Sequence, residues 1–564
     1  MKIKFFYEIK EEDKISNYQI IDLIIKNRKI SNVEEFLQPK NPFNISLFDF
    51  NDSFKTEFQK SLEILKKVKE KNQMVVVYTD YDADGVTGGA ILWETLYYLG
   101  FRVMPYVPNR KTEGYGFSFV GIDKVVEKYN PALIISVDHG ITKVKEIEYA
   151  KSKGLKIIIT DHHLKGEIIP KADSIFHIPS VSGAGVSYFF SKEIFNNFQK
   201  KFDNCKYILQ KNFLNDYLSL ASIGTIADLV PLIGPSRSIV KYGLENFSKI
   251  SRLGIKYILK EAKIENKKIT PYEIAFIIAP RINAVGRLKD ATDALRLLCT
   301  KKEERAKNLA LYLGQKNRQR QNLVEKALAE AKKTLAFETK NFTFLPKIIF
   351  LSSENWEEGI IGIVAAKIVE EFYRPTLVLT KNNGFYKGSA RSIPQFHITN
   401  FLRSLNKYLI DVGGHSQAAG FTLDVKNLFK FKKEVKKMAE TILKEDVLKK
   451  EILVDLKIPI SKINIKWVKI LDQLQPFGIG NQQPIFFSEG KIINIKFLGK
   501  ENKHLKIYLS DEKEKSILEF IGFNQGKNFK NFFRNQKINI VYHLEIDRWK
   551  GKEKVLGKII HLGD

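Results

Sequence analysis

The chain is predicted to be an α/β protein with two α/β lobes, the first a doubly wound parallel sheet. A long helix joins the lobes, and a C-terminal all-β module of OB type follows. Three observations predict this. Between residues 74 and 160, short apolar and largely β-branched runs alternate with helix-length segments, as in a parallel sheet with crossover helices. Residues 300–335 contain no Pro and read as one helix. From about residue 450, helical periodicity gives way to short alternating strands.

In chain order, residues 1–50 read as a small helical cap, with apolar-periodic pieces at 18–26 and 33–37. Residues 54–71 form an amphipathic helix with Ser53 as its N-cap. Strands at 74–79, 102–107, 132–137 and 155–160 alternate with helices near 86–99, 118–129 and 143–153, completing a first domain that extends to 299. Within it, a helix begins at Gly183, another spans 213–227, and Pro280 to Arg287 reads as a loop holding two arginines. The connecting helix takes 300–338, with Thr300 and Glu303 as a capping box. A second α/β domain takes 339–448, with strands at 348–351 and 375–379. The β module takes 449–564, with strands at 452–458, 485–487, 491–497, 504–509, 516–521, 537–544 and 555–560, read as a five-stranded barrel.

Composition narrows the function classes. With 92 Lys+Arg against 64 Asp+Glu the net charge is +28, which suits a polyanionic partner or reflects a Lys-rich background. Cys205 and Cys299 are the only cysteines, which excludes a disulfide framework and fits a reducing, cytoplasmic setting. No apolar run is long enough to span a membrane, and the N-terminus carries no secretory pattern. Residues 491–564 carry 16 Lys+Arg against 9 Asp+Glu, with Phe529, Phe532, Phe533 and Trp549 among them, the mix that binds single strands by stacking and backbone attraction.

The chemistry concentrates at strand ends. Asp80, Asp82 and Asp84 follow the first strand, Asp138 and His139 the third, and Asp161, His162 and His163 the fourth. Such ends lie side by side along one edge of a parallel sheet, where α/β proteins bind ligands. Crowded carboxylates repel, and a cation removes that cost. A lone Asp after a strand is more often a helix cap or a turn residue; three consecutive acidic strand ends, one bearing His-His, favour a metal site. Asp228 lies at the C-terminal end of a helix, where the dipole disfavours an anion and a nearby cation would explain it. Arg281 and Arg287, Ser389 and Arg391, and His415 lie in Gly-rich stretches suited to gripping phosphate, with surface salt bridges as the alternative for the arginines.

These residues lie in motifs that resemble the DHH phosphoesterase superfamily and, within it, the RecJ-type single-strand-specific exonucleases: DYDADG at 80–85, SVDHG at 136–140, TDHH at 160–163, GTIADLVPL at 224–232 and PRINAVGR at 280–287. GSARS at 388–392 and GGHSQAAG at 413–420 resemble the family's DHHA1 domain, and LQPFGIGN at 474–481 the start of its OB module. The resemblance implies processive 5′→3′ degradation of single-stranded DNA to mononucleotides with two Mn²⁺ or Mg²⁺ ions, in DNA repair, recombination and mismatch repair. By motif, Asp82, Asp84, Asp138, His162 and Asp228 would be the metal ligands. Asp80 joins the metal set and His163 the catalytic set as supporting groups. Arg110, Ser389 and Arg391 would meet the 5′-terminal phosphate and Arg281 the scissile region, with Arg287 and His415 completing the substrate-binding set. Single-strand-binding protein and a helicase are the implied partners, and a monomer the implied state. The long helix is expected to hold the two lobes so that only single strands thread between them. Two positions depart from the family pattern: Tyr78-Thr79 stands where a smaller or His-Gly pair is usual, and His139 where Asn is common. A further C-terminal domain, found in some relatives, is expected to be absent or very short. An oligoribonuclease, cyclic-dinucleotide phosphodiesterase or pyrophosphatase of related fold is the first rival, and a non-catalytic replication scaffold the second.

Overall fold

The computed structural model describes residues 2–110, 112–198, 203–288, 291–382, 384–511, 515–526, 532–548 and 551–563. Phe529 and Trp549 lie outside the described residues. The chain divides into two compact units. The larger holds Ile3–Asn283, Asp290–Ala310 and Leu453–Asp564, and the smaller holds Ala284–Lys289 and Leu311–Ile452 with the first two residues.

The N-terminal segment is not purely helical. A strand, β1 (Lys2–Glu8), precedes the helices Asn17–Asn27 and Val33–Leu37. The helix Phe54–Glu70 then leads into a five-stranded parallel sheet of β2 (Val75–Thr79), β3 (Val103–Tyr106), β4 (Leu133–Val137), β5 (Lys156–Asp161) and β6 (Ser174–His177), in the order β3-β2-β4-β5-β6. β6 extends the predicted four-stranded pattern. Its short SIFH run, beyond Pro170, carries too little periodicity to stand out. The β2, β4 and β5 cores are buried on both faces, which explains their continuous apolar runs.

Two further local differences arise here. The predicted helix 213–227 breaks at Asn215, where φ −128° and ψ −78° leave helical space, giving Asp203–Leu214 and Asp216–Ala227. The PRINAVGR stretch, read as a loop, is the helix Ala279–Leu288. Pro280 follows directly on a π-helical turn, Ile274–Ile278, that runs into this helix without a break.

The long helix spans Glu303–Glu338, 36 residues or about 54 Å. The Thr300–Glu303 capping box does not form. Thr300 Oγ1 accepts from the Lys302 N–H instead, and the Glu303 carboxylate accepts from the Tyr257 hydroxyl. In the smaller unit, β7 (Ile349–Ser352), β8 (Thr376–Asn382), β9 (Phe385–Arg391), β10 (Leu409–Gly414) and β11 (Ala418–Asp424) form a mixed sheet in the order β10-β11-β9-β8-β7. Ala327, Ala331 and Leu335 of the long helix share its core with Ile349, Leu351 and Ile361.

The last seven strand predictions condense into six: β12 (Glu451–Lys457), β13 (Phe486–Leu498), β14 (His504–Ser510), β15 (Ile517–Gly522), β16 (Lys537–Asp547) and β17 (Lys554–Gly563). The runs at 485–487 and 491–497 are one strand, β13, with a register shift between Ile492 and Asn494. β13 pairs with both β14 and β16, so β13-β14-β15-β17-β16 closes into a five-stranded barrel, and β12 and β1 extend it. Ile20, Ile24 and Phe36 of the N-terminal helices join the same core as Leu456, Phe486 and Ile540. Among the described residues no helix is long and apolar enough to cross a membrane.

Candidate metal centre

Strand register builds the site. Thr79 pairs with Val137 and Val137 with Thr160, so the next residues, Asp80, Asp138 and Asp161, emerge side by side at the sheet edge. Asp80 is 1 % exposed, and its Oδ1 accepts no hydrogen bond among the described residues. Asp82 caps the helix Ala83–Tyr98, accepting at Oδ1 from the N–H groups of Asp84 and Gly85 at 2.9 and 3.1 Å. The capping role and a place in the acidic cluster therefore coincide in one residue. Asp138 sits at φ +69°, a left-handed conformation that non-Gly residues hold mainly where tertiary contacts impose it.

His162 Nε2 lies among three carboxylates from three separate segments: 3.1 Å from Asp138 Oδ1, 3.4 Å from Asp228 Oδ2 and 3.8 Å from Asp84 Oδ2. Asp228 ends the helix Asp216–Ala227, and its carboxylate turns into the cluster. Three groups have ligand atoms within 4.8 Å of one another: Asp84, His162 and Asp228; Asp80, Asp82 and Asp138; and Asp138, His162 and His163.

The electrostatics follow from burial and crowding. Burial first, then the neighbouring Asp82, pushes Asp84 up to about 7. Burial, with Asp84 and Asp82 beside it, pushes Asp228 up to about 8. Asp80 and Asp138 are driven well above the carboxylate range by burial and then by neighbouring carboxylates. Asp161 behaves oppositely. Burial acts to raise it, but the His163 ring and the N–H groups of Ile141 and His163 hold it at about 2. Burial disfavours the His163 cation, yet the Asp161 hydrogen bond outweighs burial and raises His163 to about 9.

Several site residues escaped the sequence reading because they act through the backbone or through missing bulk. The N–H groups of Gly183 and Ala184 donate to the two oxygens of Asp84 at 2.7 and 2.9 Å. A Cβ at Gly224 would lie 2.2 Å from Asp84 Oδ1. Asn283 Oδ1 accepts from the Ala83 N–H at 2.7 Å, tying the PRINAVGR helix to the DYDADG turn. The Tyr115 hydroxyl donates to the Asp138 carbonyl at 2.8 Å and lies 3.1 Å from His163 Nε2. Both ring nitrogens of His163 thus have partners. The only local signal for Asn283 was its place inside an Arg-flanked motif.

His139 points away from the cluster. It is fully buried, its Nε2 lies 2.9 Å from the Tyr78 carbonyl, and its ring packs on Tyr78 and Phe117.

The expected phosphate-binding residues divide between the units. In the larger, the Arg110 guanidinium lies 5.2 Å over the Tyr81 ring, and Arg281 pairs with Glu261 at 2.7 Å. In the smaller, Arg391 donates to Ser389 Oγ at 3.0 Å within β9, Arg287 donates to the Gly359 carbonyl at 3.1 Å, and His415 is exposed on the β10–β11 hairpin.

Comparison with known proteins places the arrangement. Residues 74–225 match the DHH family N-terminal domain, 345–441 the DHHA1 domain and 454–561 the RecJ OB domain. The chain is 32% identical over 519 residues to the single-stranded-DNA-specific exonuclease RecJ of Bacillus subtilis, covering 90% of this chain and 63% of that protein. It therefore spans just under two thirds of the Bacillus relative. It is 29% identical over 564 residues to the RecJ of Haemophilus influenzae, covering 97% and 96%. The crystal structure of RecJ from Thermus thermophilus with Mn²⁺ superposes with a TM-score of 0.80 at 26% identity, covering 100% of this chain and 80% of that one.

Proposed function

Because the chain belongs to the RecJ family of DHH phosphoesterases, we propose that it is a metal-dependent, single-strand-specific 5′→3′ exodeoxyribonuclease releasing mononucleotides in DNA repair and recombination. The observation that carries this reading is the cluster around His162 Nε2, where carboxylates from three chain segments converge within 3.8 Å.

The residues fit divalent ions. Mixed imidazole and carboxylate donors suit Mn²⁺, and Mg²⁺ accepts the oxygen donors. The buried Asp80 Oδ1 without a hydrogen-bond donor needs a positive partner. Asp84, His162 and Asp228 would hold one ion, and Asp80, Asp82 and Asp138 the other. Ions held by these residues would supply an activated water and charge neutralisation of phosphate oxygens.

The protein's own groups prepare that chemistry. Asp161 fixes the His163 ring and three backbone N–H groups, so the loop after β5 presents His162 to the carboxylates. The N–H groups of Gly183 and Ala184 fix the orientation of Asp84. Arg110 in the larger unit, and Ser389 with Arg391 in the smaller, are each candidates for the 5′-terminal phosphate. Arg281, held by Glu261, is the candidate for the scissile region, and Arg287 and His415 are candidates for further substrate contacts. The OB barrel tracks the strand. The enzyme works as a cytoplasmic monomer, all its ligands coming from one chain, on strands delivered by a helicase and single-strand-binding protein.

The test uses one single-stranded oligonucleotide labelled at either end and digested with Mn²⁺. The wild type should release the 5′ label at once as mononucleotide and shorten the 3′-labelled strand gradually, and Asp138→Ala should do neither. Cleavage of dinucleotides with long DNA left intact would replace this reading with a small-substrate phosphodiesterase.

A further inference from the structure

A groove of about 640 Å³ lies in the larger unit, lined by Leu229, Tyr272, Phe276, Phe477, Ile479 and His543 among others. Its walls are apolar yet open to solvent: Tyr272 is 62 % exposed and Phe276 65 %. Their rings sit 4.9 Å apart, tilted by 35°. Exposed aromatic pairs of this kind mark a binding surface.

Two features join the groove to the metal centre. Leu229 directly follows Asp228 and is held at φ +58°, with its side chain 63 % exposed. Phe276 lies in a π-helical turn, Ile274–Ile278, which runs directly into the helix carrying Arg281 and Asn283. π-turns inside helices are frequent at functional sites. From Phe276 to Asn283, which bonds the Ala83 N–H, is seven residues, or about 10 Å of helix. Pro271 also lines a second groove of about 610 Å³, whose charged residues are Lys241, Lys268, Glu245 and Asp472.

We propose that this groove is a base-stacking subsite for the single strand, with Tyr272 and Phe276 as its platform. The inference rests on the exonuclease reading above. Every base has a π-face, so an aromatic platform holds any sequence. A strand whose terminus lies at the Asp228 carboxylate passes the groove within a few nucleotides. That continuity favours DNA over a protein segment as the occupant.

The test scans 2-aminopurine along a 5′-phosphorylated 20-mer bound to full-length protein with Mn²⁺ and Mg²⁺ withheld, so that nothing is cut. One or two positions near the 5′ end should be quenched. The quench should vanish in Tyr272→Leu/Phe276→Leu, which keeps apolar bulk without π-faces, and survive in Tyr272→Phe. With metal, KM of the leucine variant on the 20-mer should rise between about fivefold and a hundredfold, the range for losing base stacks. Its kcat on a dinucleotide should not change. Abasic sites at the quenched positions should weaken wild-type binding and leave the variant indifferent. Identical quench profiles in wild type and leucine variant, or an unchanged KM, would overturn the proposal, as would a variant that loses only a protein partner. If wild type fails to degrade single strands, the exonuclease reading itself falls, and the cleavage-free scan reports that separately.

Discussion

Lowering the pH from 9 to 6 is expected to weaken divalent-ion binding by about a thousandfold. Burial, then the neighbouring Asp82, raises Asp84 to about 7, and burial, then Asp84 and Asp82, raises Asp228 to about 8. Both are acids favoured in their neutral forms, so these two groups contribute most to the stability of the metal-free fold at low pH. That contribution is lost as pH rises from the ordinary carboxyl range, the loss being complete once pH has passed about 7 to 8. An ion requires both as carboxylates. At pH 6, expelling the two protons costs about 1.4 and about 2.7 kcal/mol, together worth roughly three decades of affinity. At pH 9 both are already ionised. Asp80 and Asp138, also raised, shift the effect in the same direction. Calorimetric titration with Mn²⁺ in two buffers of different ionisation enthalpy counts the protons released. About two or more should leave at pH 6 and far fewer at pH 9, and Asp228→Asn should release about one fewer at pH 6. Equal affinity at both pH values, with no proton release at pH 6, would refute the reasoning.

Two substitutions probe the frame around the site. Gly224→Ala places a methyl 2.2 Å from Asp84 Oδ1 and 2.7 Å from Ala184 Cβ, and Asp84 cannot swing away because two amides hold it. Metal affinity should fall about 10- to 100-fold, as when an orienting group around a metal is lost, while thermal unfolding shows a folded protein. Arg252→Leu leaves Glu94, now bonded at 2.9 and 2.7 Å, as an uncompensated buried charge. Denaturant unfolding should show a loss of about 3–5 kcal/mol, and adding Glu94→Leu should recover much of it.

The parts of the molecule legible in the sequence are those set by local pattern. β-branched runs marked β2, β4 and β5, and the acidic residues after them converge because adjacent parallel strands end in register. Asp228 was legible because its place at a helix C-terminus is electrostatically wrong without a cation. What escaped depends on distant partners. β1 lies beside β12, some 450 residues away, and nothing in KIKFFYE announces that partner. Gly183, Ala184 and Gly224 act through N–H groups or an absent side chain, which acquire meaning only once Asp84 is beside them.

The two departures from the family pattern show the same limit most clearly. Tyr78 and His139 are 61 residues apart and look like unrelated oddities, yet they form one unit. The His139 ring bonds the Tyr78 carbonyl at 2.9 Å, and the two rings pack edge to face at 5.2 Å. The loop Glu113–Phe117 rests on this pair. The Tyr78 hydroxyl donates to the Gly116 carbonyl, and Gly116, at φ +63°, leaves the space that the His139 ring fills; a Cβ there would lie 2.9 Å from it. That loop in turn delivers the Tyr115 hydroxyl to the Asp138 carbonyl and His163. Tyr78 and His139 thus act as one packed support beneath the loop that carries Tyr115 to the carboxylate cluster, and neither side chain enters that cluster.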